Sequence, residues 1–172
     1  MINKIAFIGS VGSGKTTIIE QLSSIETLKT DVKSSIDIGK ENTTVGIDYG
    51  HIKLDSETTL ALYGVPGQRK FSMIWDFVKE GLWAIVILIK NNEKESINEL
   101  SYLIDFFEIN KNMPCVIGIT HADQRGVSDT SNQIQHILKQ SNLNAPIYTV
   151  DARKHESALL IMETIIALEE RM

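Results

Sequence analysis

Between an apolar run, Lys4-Ile5-Ala6-Phe7-Ile8, and a segment of helical periodicity lies the octapeptide Gly9-Ser10-Val11-Gly12-Ser13-Gly14-Lys15-Thr16. It matches G-x-x-x-x-G-K-[S/T] at every fixed position, and no other feature constrains the chain as much. Glycines let the backbone curl until successive N–H groups point into one concavity that coordinates phosphate oxygens. The helix that follows offers the positive end of its dipole to the same anion. Lys15 is placed to reach the β- and γ-phosphates, and the Thr16 hydroxyl to ligate Mg²⁺. The expected phosphate contacts are Gly9, Val11, Gly12, Ser13, Gly14, Lys15, Thr16 and Thr17. The loop alone does not separate GTPases from kinases, transporter ATPases or other nucleoside triphosphatases.

The loop sits where its mechanism demands, between a buried strand and an amphipathic helix carrying Ile18, Ile19, Leu22 and Ile25 on one face. Residues 27 to 43 are polar and without regular period, which predicts a loop. Val45, Ile47 and Tyr49 then alternate up to Leu54, and Thr58, Leu60 and Leu62 alternate after the break Asp55-Ser56-Glu57, predicting a hairpin. Leu82 to Ile89, Met113 to Ile119 and Ile147 to Val150 read as further strands. Helical stripes separate them, at Ile97, Leu100, Ile104 and Phe107, and again around Ile134 to Leu138. A last helix carries Leu159, Met162, Ile165, Ile166 and Leu168. Apolar strands alternating with helices imply an α/β fold of three layers: a mostly parallel six-stranded sheet with one antiparallel edge strand and helices on both faces. At 172 residues, the chain fits one domain, 1–172.

Net charge and termini narrow the partners. The chain carries a formal charge of −5 and four arginines, Arg69, Arg125, Arg153 and Arg171, which argues against nucleic acid. Leu82 to Ile89 is the longest apolar run, far short of the roughly 20 residues of a membrane helix. The N-terminal Met1-Ile2-Asn3-Lys4 has neither a signal peptide's apolar stretch nor a myristoylation glycine, and Glu169-Glu170-Arg171-Met172 has no prenylation cysteine. No stable membrane anchor and a cytoplasmic location are expected. Cys115, the sole cysteine, lies in an apolar run and reads as a small core residue.

Downstream segments resemble a known family. Tyr63-Gly64-Val65-Pro66-Gly67-Gln68 resembles the D-x-x-G-Q switch II motif of Ras-like small GTPases, whose fold is a P-loop G domain. Thr120-His121-Ala122-Asp123 resembles the guanine-recognition motif N/T-K-x-D, and Asp151-Ala152-Arg153 the S-A-K element. Thr44-Val45-Gly46-Ile47-Asp48 looks like the switch I threonine and the strand after it. A P-G-Q switch II without its leading Asp, together with T-x-x-D and D-A-R, is similar to the prokaryotic small GTPases of the MglA and conservon (CvnD-like) types.

The resemblance implies GTP or GDP as ligand, Mg²⁺ as cofactor, and a molecular switch with slow GTP hydrolysis. The Gly67 N–H would contact the γ-phosphate and Gln68 would orient the attacking water. Thr44 would give Mg²⁺ a second hydroxyl, with Thr43 as its competitor. Asp123 would accept two hydrogen bonds from guanine, His121 would either stack along the base or be structural, and Ala152 would offer a backbone N–H to the guanine oxygen. Thr120 and Arg153 complete the base-side set.

Two departures bear on mechanism. Gly64 stands where the family holds its Mg²⁺-organising Asp, and Val11 stands where Ras needs Gly to admit Gln and an incoming arginine. Slow intrinsic hydrolysis is expected, and the stretch from Leu28 to Ile47 has no Arg to supply a finger in cis. Arg69 is either an internal substitute or a solvated charge, as Lys29, Lys33 and Lys40 are. A protein regulator, of the roadblock type on the resemblance, would act through switches I and II. Phe71, Ile74, Trp75 and Val78 fall at helical spacing, either as core or as an effector surface.

Two other readings remain. One is a nucleotide-binding scaffold with little hydrolysis, favoured by Gly64 and Val11 and opposed by Gln68. The other is a different P-loop enzyme. A small-molecule kinase needs a lid with several arginines, and a transporter ATPase needs an apolar run ending in Asp, whereas Leu82 to Ile89 ends in Lys90-Asn91.

Overall fold

The computed structural model describes residues 1–33, 44–122 and 126–171. Strand β1 (Ile2–Gly9) leads through the glycine-rich loop into helix α1 (Lys15–Leu22). Strands β2 (Leu28–Lys33), β3 (Thr44–Lys53) and β4 (Thr59–Pro66) follow. A single 3-10 turn, Arg69–Phe71, precedes α2 (Ser72–Lys79). The chain then runs through β5 (Leu82–Lys90), α3 (Lys94–Phe106), β6 (Cys115–Thr120), α4 (Val127–Gln140), β7 (Ile147–Thr149) and α5 (His155–Glu169).

The strands form one sheet in the order β2-β3-β4-β1-β5-β6-β7. Strand β3 pairs antiparallel with β2 and β4, and the remaining pairings are parallel. This is the expected mostly parallel α/β sheet with its antiparallel region at one edge, but among the described residues it has seven strands instead of six. The additional strand is β2, which falls in the stretch predicted to be a loop. Leu28-Lys29-Thr30-Asp31-Val32-Lys33 has too little apolar alternation to announce a strand, as suits a strand on the edge of a sheet, where lysines discourage pairing with other chains.

Period-2 alternation along the central strands builds two cores, one on each face of the sheet. On one face, Ala6, Ile8, Ile85, Ile87, Ile117 and Ile119 pack with α2, α3 and α4. On the other, Ile5, Phe7, Ala84, Val86, Leu88 and Val116 pack with α1 and α5. In α5, Ala158, Ile161, Met162 and Ile165 are buried, whereas Leu159, predicted to face the core, is exposed. Ile25 likewise lies beyond the end of α1 and is exposed.

The helical segment after Gln68 is core. Ile74, Trp75 and Val78 are buried, and Trp75 Nε1 donates to Pro66 O at 2.8 Å. The effector-surface alternative is therefore corrected for these three, because an amphipathic helix of this length must turn its one apolar stripe toward the sheet. Cys115 is buried at the start of β6, and burial pushes its thiol up to about 12.

Candidate functional site

Strand β1 ends at Gly9 and α1 begins at Lys15, so the intervening loop wraps the N-terminus of α1 at the C-terminal end of the parallel strands. This is where open α/β sheets place their ligands. Gly12 (φ 73°) and Gly14 (φ 99°) take the left-handed backbone that turns successive N–H groups inward. A Cβ on Gly14 would lie 2.7 Å from the Ala152 Cβ, so the phosphate loop and the Asp151–Arg153 turn touch through a glycine. The first turn of α1 holds no acidic residue, which leaves the positive helix end available to an anion. Ser13 is fully buried, and its hydroxyl has no hydrogen-bond partner among the described residues.

Lys15 curls over the loop, and its Nζ donates to Gly9 O at 2.9 Å and Ser10 O at 2.8 Å. Burial lowers its pKa to about 8; Asp48 and Glu93 oppose the shift and Lys90 adds to it. The Thr16 hydroxyl donates to Asp48 Oδ2, across from α1 to β3. Asp48 pairs in register with Gly64 of β4, and a Cβ on Gly64 would lie 3.1 Å from both Asp48 Cβ and Oδ2. The carboxylate missing at Gly64 is thus present from the neighbouring strand, in the space that a side chain at Gly64 would enter. Sequence reasoning missed this placement, because only the β3–β4 register brings the two positions together.

Two cavities flank the loop. The first, about 360 Å³, is lined by Gly12, Ser13, Gly14 and Thr17, by Thr120, His121 and Ala122, and by Thr149 to Arg153. The segments expected to contact a base therefore share one space with the glycine-rich loop. Thr120 is buried, and His121, with φ 55°, is exposed with its Nδ1 3.2 Å from Thr120 Oγ1. Arg153 clasps Asp151 through Nε and Nη2, each at 2.9 Å, and through its backbone N–H at 3.1 Å. That clasp holds the Asp151 carboxyl down at about 2. Asp123 lies outside the described residues, as do Thr43, Lys40, Arg125 and the side chain of Thr44, whose backbone opens β3.

The second cavity, about 230 Å³, is lined on one side by Gly9, Ser10, Val11, Gly67 and Gln68, and on the other by the end of β5 and the start of α3. The Gly67 N–H donates to Gly9 O at 2.9 Å. The Gln68 side-chain oxygen is buried without a hydrogen-bond partner among the described residues, and Val11 is 72% exposed at the rim. Arg69 is not a free charge: its Nε lies 2.7 Å from Glu99 Oε2, and its guanidinium stacks 4.2 Å above the Tyr102 ring.

Comparison with solved structures gives the Arl6 (BBS3) small GTPase of Trypanosoma brucei, determined with the nucleotide analogue GppNp. The two chains superpose with a TM-score of 0.72 over 99% of each, at 13% sequence identity. The fold is that of a small GTPase G domain. No family model and no curated relative matches the sequence.

Within this G-domain fold, the donors near the loop suit a hard divalent cation bound together with phosphate. A hydroxyl (Thr16) and a carboxylate oxygen (Asp48) are oxygen ligands of the kind magnesium takes, one or two from protein and the rest from phosphate and water. Among the described residues no helix is long and apolar enough to cross a membrane.

Proposed function

We propose that this chain is a single-domain, cytoplasmic small GTP-binding protein that switches state with its nucleotide and hydrolyses GTP slowly on its own. Its P-G-Q, T-x-x-D and D-A-R segments resemble those of the prokaryotic branch of the Ras-like proteins, and this resemblance supports that assignment. The observation that carries the reading is the first cavity, where Gly12–Gly14 and Thr17 share one space with Thr120–Ala122 and Asp151–Arg153. A nucleotide laid there has its phosphates on the loop and its base against the two turns. The GppNp held by the structural neighbour supports a guanine nucleoside triphosphate as ligand.

Each residue then has a task. The Lys15 ammonium turns from the loop carbonyls of Gly9 and Ser10 to the phosphates, whose oxygens accept from backbone N–H groups between Val11 and Thr17. Thr16 and, in the triphosphate state, Thr44 are the hydroxyl ligands for Mg²⁺, with Asp48 in place of the absent carboxylate at Gly64. A magnesium ion held there would neutralise charge developing on the β- and γ-phosphate oxygens. The Gly67 N–H exchanges Gly9 O for the γ-phosphate, which couples the start of α2 to the nucleotide. Gln68 orients the attacking water, and Asp123, Ala152 and the Thr120–His121 segment read guanine. Regulators meet the switch segments, with the exposed Phe77 of α2 as an apolar anchor. The prokaryotic resemblance points to a regulator of the roadblock type.

Titration with fluorescent GDP, competed by GTP, ATP and their diphosphates in Mg²⁺, tests the reading. Guanine preference that disappears in Asp123→Ala supports it, and equal competition by ATP overturns the guanine assignment. One observation favours the scaffold alternative: Val11 projects at the rim of the cavity that contains Gln68. Single-turnover hydrolysis decides between the two, since a scaffold shows the same rate with Gln68→Ala.

A further inference from the structure

The phosphate loop opens onto two cavities, and their linings give a nucleotide a direction. The first joins Gly12–Gly14 to the base-side turns; the second joins Gly9–Val11 to Gly67 and Gln68. A nucleotide with its base in the first therefore turns its terminal phosphate toward the second.

Among the described residues lining that second cavity, the only cation is Lys90. It is the last residue of β5, whose Leu88 pairs with Gly9 of β1, so its stem leaves the sheet directly beside the phosphate loop. A Cβ built on Gly12 would lie 3.6 Å from Lys90 Nζ and 3.7 Å from its Cε. The Lys90 side chain is 27% exposed, and its ammonium rests 3.4 Å from Glu93 Oε1. Glu93 is itself fixed to the loop, since its Oε2 accepts from Ser10 Oγ at 2.6 Å and from the Ser96 hydroxyl. Lys90 is thus parked at the loop by a carboxylate bound to the loop. Arg69, next to Gln68 in the chain, is held on Glu99 and Tyr102 instead.

We propose that Lys90 is a second phosphate-binding cation, supplied in cis from the end of β5, that contacts the terminal phosphate of a bound triphosphate and returns to Glu93 when only a diphosphate remains. The assignment rests on the nucleotide-binding reading above. A doubly charged terminal phosphate outcompetes a single, partly solvated carboxylate at 3.4 Å. The four-carbon stem of a lysine makes the transfer without any backbone movement. The group therefore tells triphosphate from diphosphate, and it brings a cation to the terminal phosphate in a chain whose stretch from Leu28 to Ile47 has no arginine to serve as a finger.

The experiment compares affinities for GppNHp and GDP in the full chain, in Lys90→Gln and in Lys90→Arg. Loss of one charge-assisted phosphate contact weakens GppNHp binding by about tenfold in Lys90→Gln. GDP affinity stays within about twofold, and Lys90→Arg restores the triphosphate preference. An unchanged ratio of the two affinities, or equal weakening of both, overturns the assignment. Failure of the guanine reading looks different: the wild-type chain then prefers adenine nucleotides, and the same ratio with AppNHp and ADP still tests Lys90. A wild-type chain that binds no nucleotide overturns both.

Discussion

The hydroxyl of Thr16, in the first turn of α1, donates to Asp48 Oδ2 in the middle of β3, and Asp48 lies opposite Gly64 on β4. On the proposed function, Thr16 and Asp48 would hold and organise a magnesium ion bound with the phosphates. Removing an outer ligand of a metal site typically costs 10–100-fold in metal affinity. Asp48→Ala is therefore expected to speed GDP dissociation in Mg²⁺ by about tenfold or more. In EDTA the variant and wild type should release GDP at the same rate. Moving the carboxylate back, as Asp48→Gly with Gly64→Asp, should recover part of the Mg²⁺ effect, because the space next to Gly64 is then free of the Asp48 side chain. Gly64→Asp alone brings a new carboxylate against Asp48 and should lower stability. Equal dissociation of Asp48→Ala and wild type in Mg²⁺ would falsify the role of Asp48.

Lys15 makes nucleotide affinity depend on pH. Its pKa in the free chain is lowered to about 8, chiefly by burial, whereas phosphate oxygens around the bound ammonium hold its proton. Binding therefore takes up a proton above pH 8, and the sign is fixed: affinity is flat below about pH 8 and falls above it, by about tenfold per pH unit. GDP dissociation constants measured from pH 6.5 to 9 at constant ionic strength should show this bend. Lys15→Arg, charged throughout the range, should show none. A wild-type profile that stays flat to pH 9 would mean that Lys15 keeps its proton in the free chain.

Much of this was legible in the sequence, for identifiable reasons. Fully buried parallel strands are written as unbroken apolar runs, so β1, β5 and β6 could be read within a few residues. The phosphate loop was legible because it needs particular residues at fixed spacing. Strand β2 was not, since an edge strand needs no apolar run. Leu159 was assigned to the core because α5 is apolar on more than its buried stripe, and Leu159 and Leu160 are both exposed. The role of Asp48 was hidden for a deeper reason. Its meaning depends on which residue of β4 it faces, and a shift of one position would put it on the other side of the sheet.

Trp75 ties α2 to the end of β4. The residue is fully buried, its Nε1 donates to Pro66 O at 2.8 Å, and its ring packs 5.2 to 5.9 Å from those of Phe106, Phe107 and Tyr102. Trp75→Phe removes ring volume and leaves the Pro66 carbonyl without its donor, so a loss of about 2–3 kcal/mol is expected. Urea unfolding monitored by circular dichroism measures it. Pro66 precedes Gly67, so the same change should weaken the preference for GppNHp over GDP. A variant within 0.5 kcal/mol of wild type, a threshold set by ordinary surface substitutions, would show that the Trp75–Pro66 bond is not made in solution.

Cys115 provides an internal probe of the sheet. It is the only cysteine of the chain, sits buried at the start of β6 and has its thiol pushed up to about 12 by burial alone. The thiolate is the reactive form, so an aromatic disulfide reagent at pH 8 should leave the folded protein unmodified and label one thiol in denaturant. The same shift has a signed effect on stability. From the unfolded value near 9 up to about 12, the folded chain holds a proton that the unfolded chain has lost, so stability falls as pH rises through that window. Cys115→Ala removes this contribution and should flatten the alkaline decline seen by urea unfolding between pH 8.5 and 10.5. Rapid stoichiometric labelling under native conditions would instead mean that β6 opens readily from β5. The slow labelling rate that closure predicts should fall further when GDP is added, because ligand binding to the folded form suppresses opening.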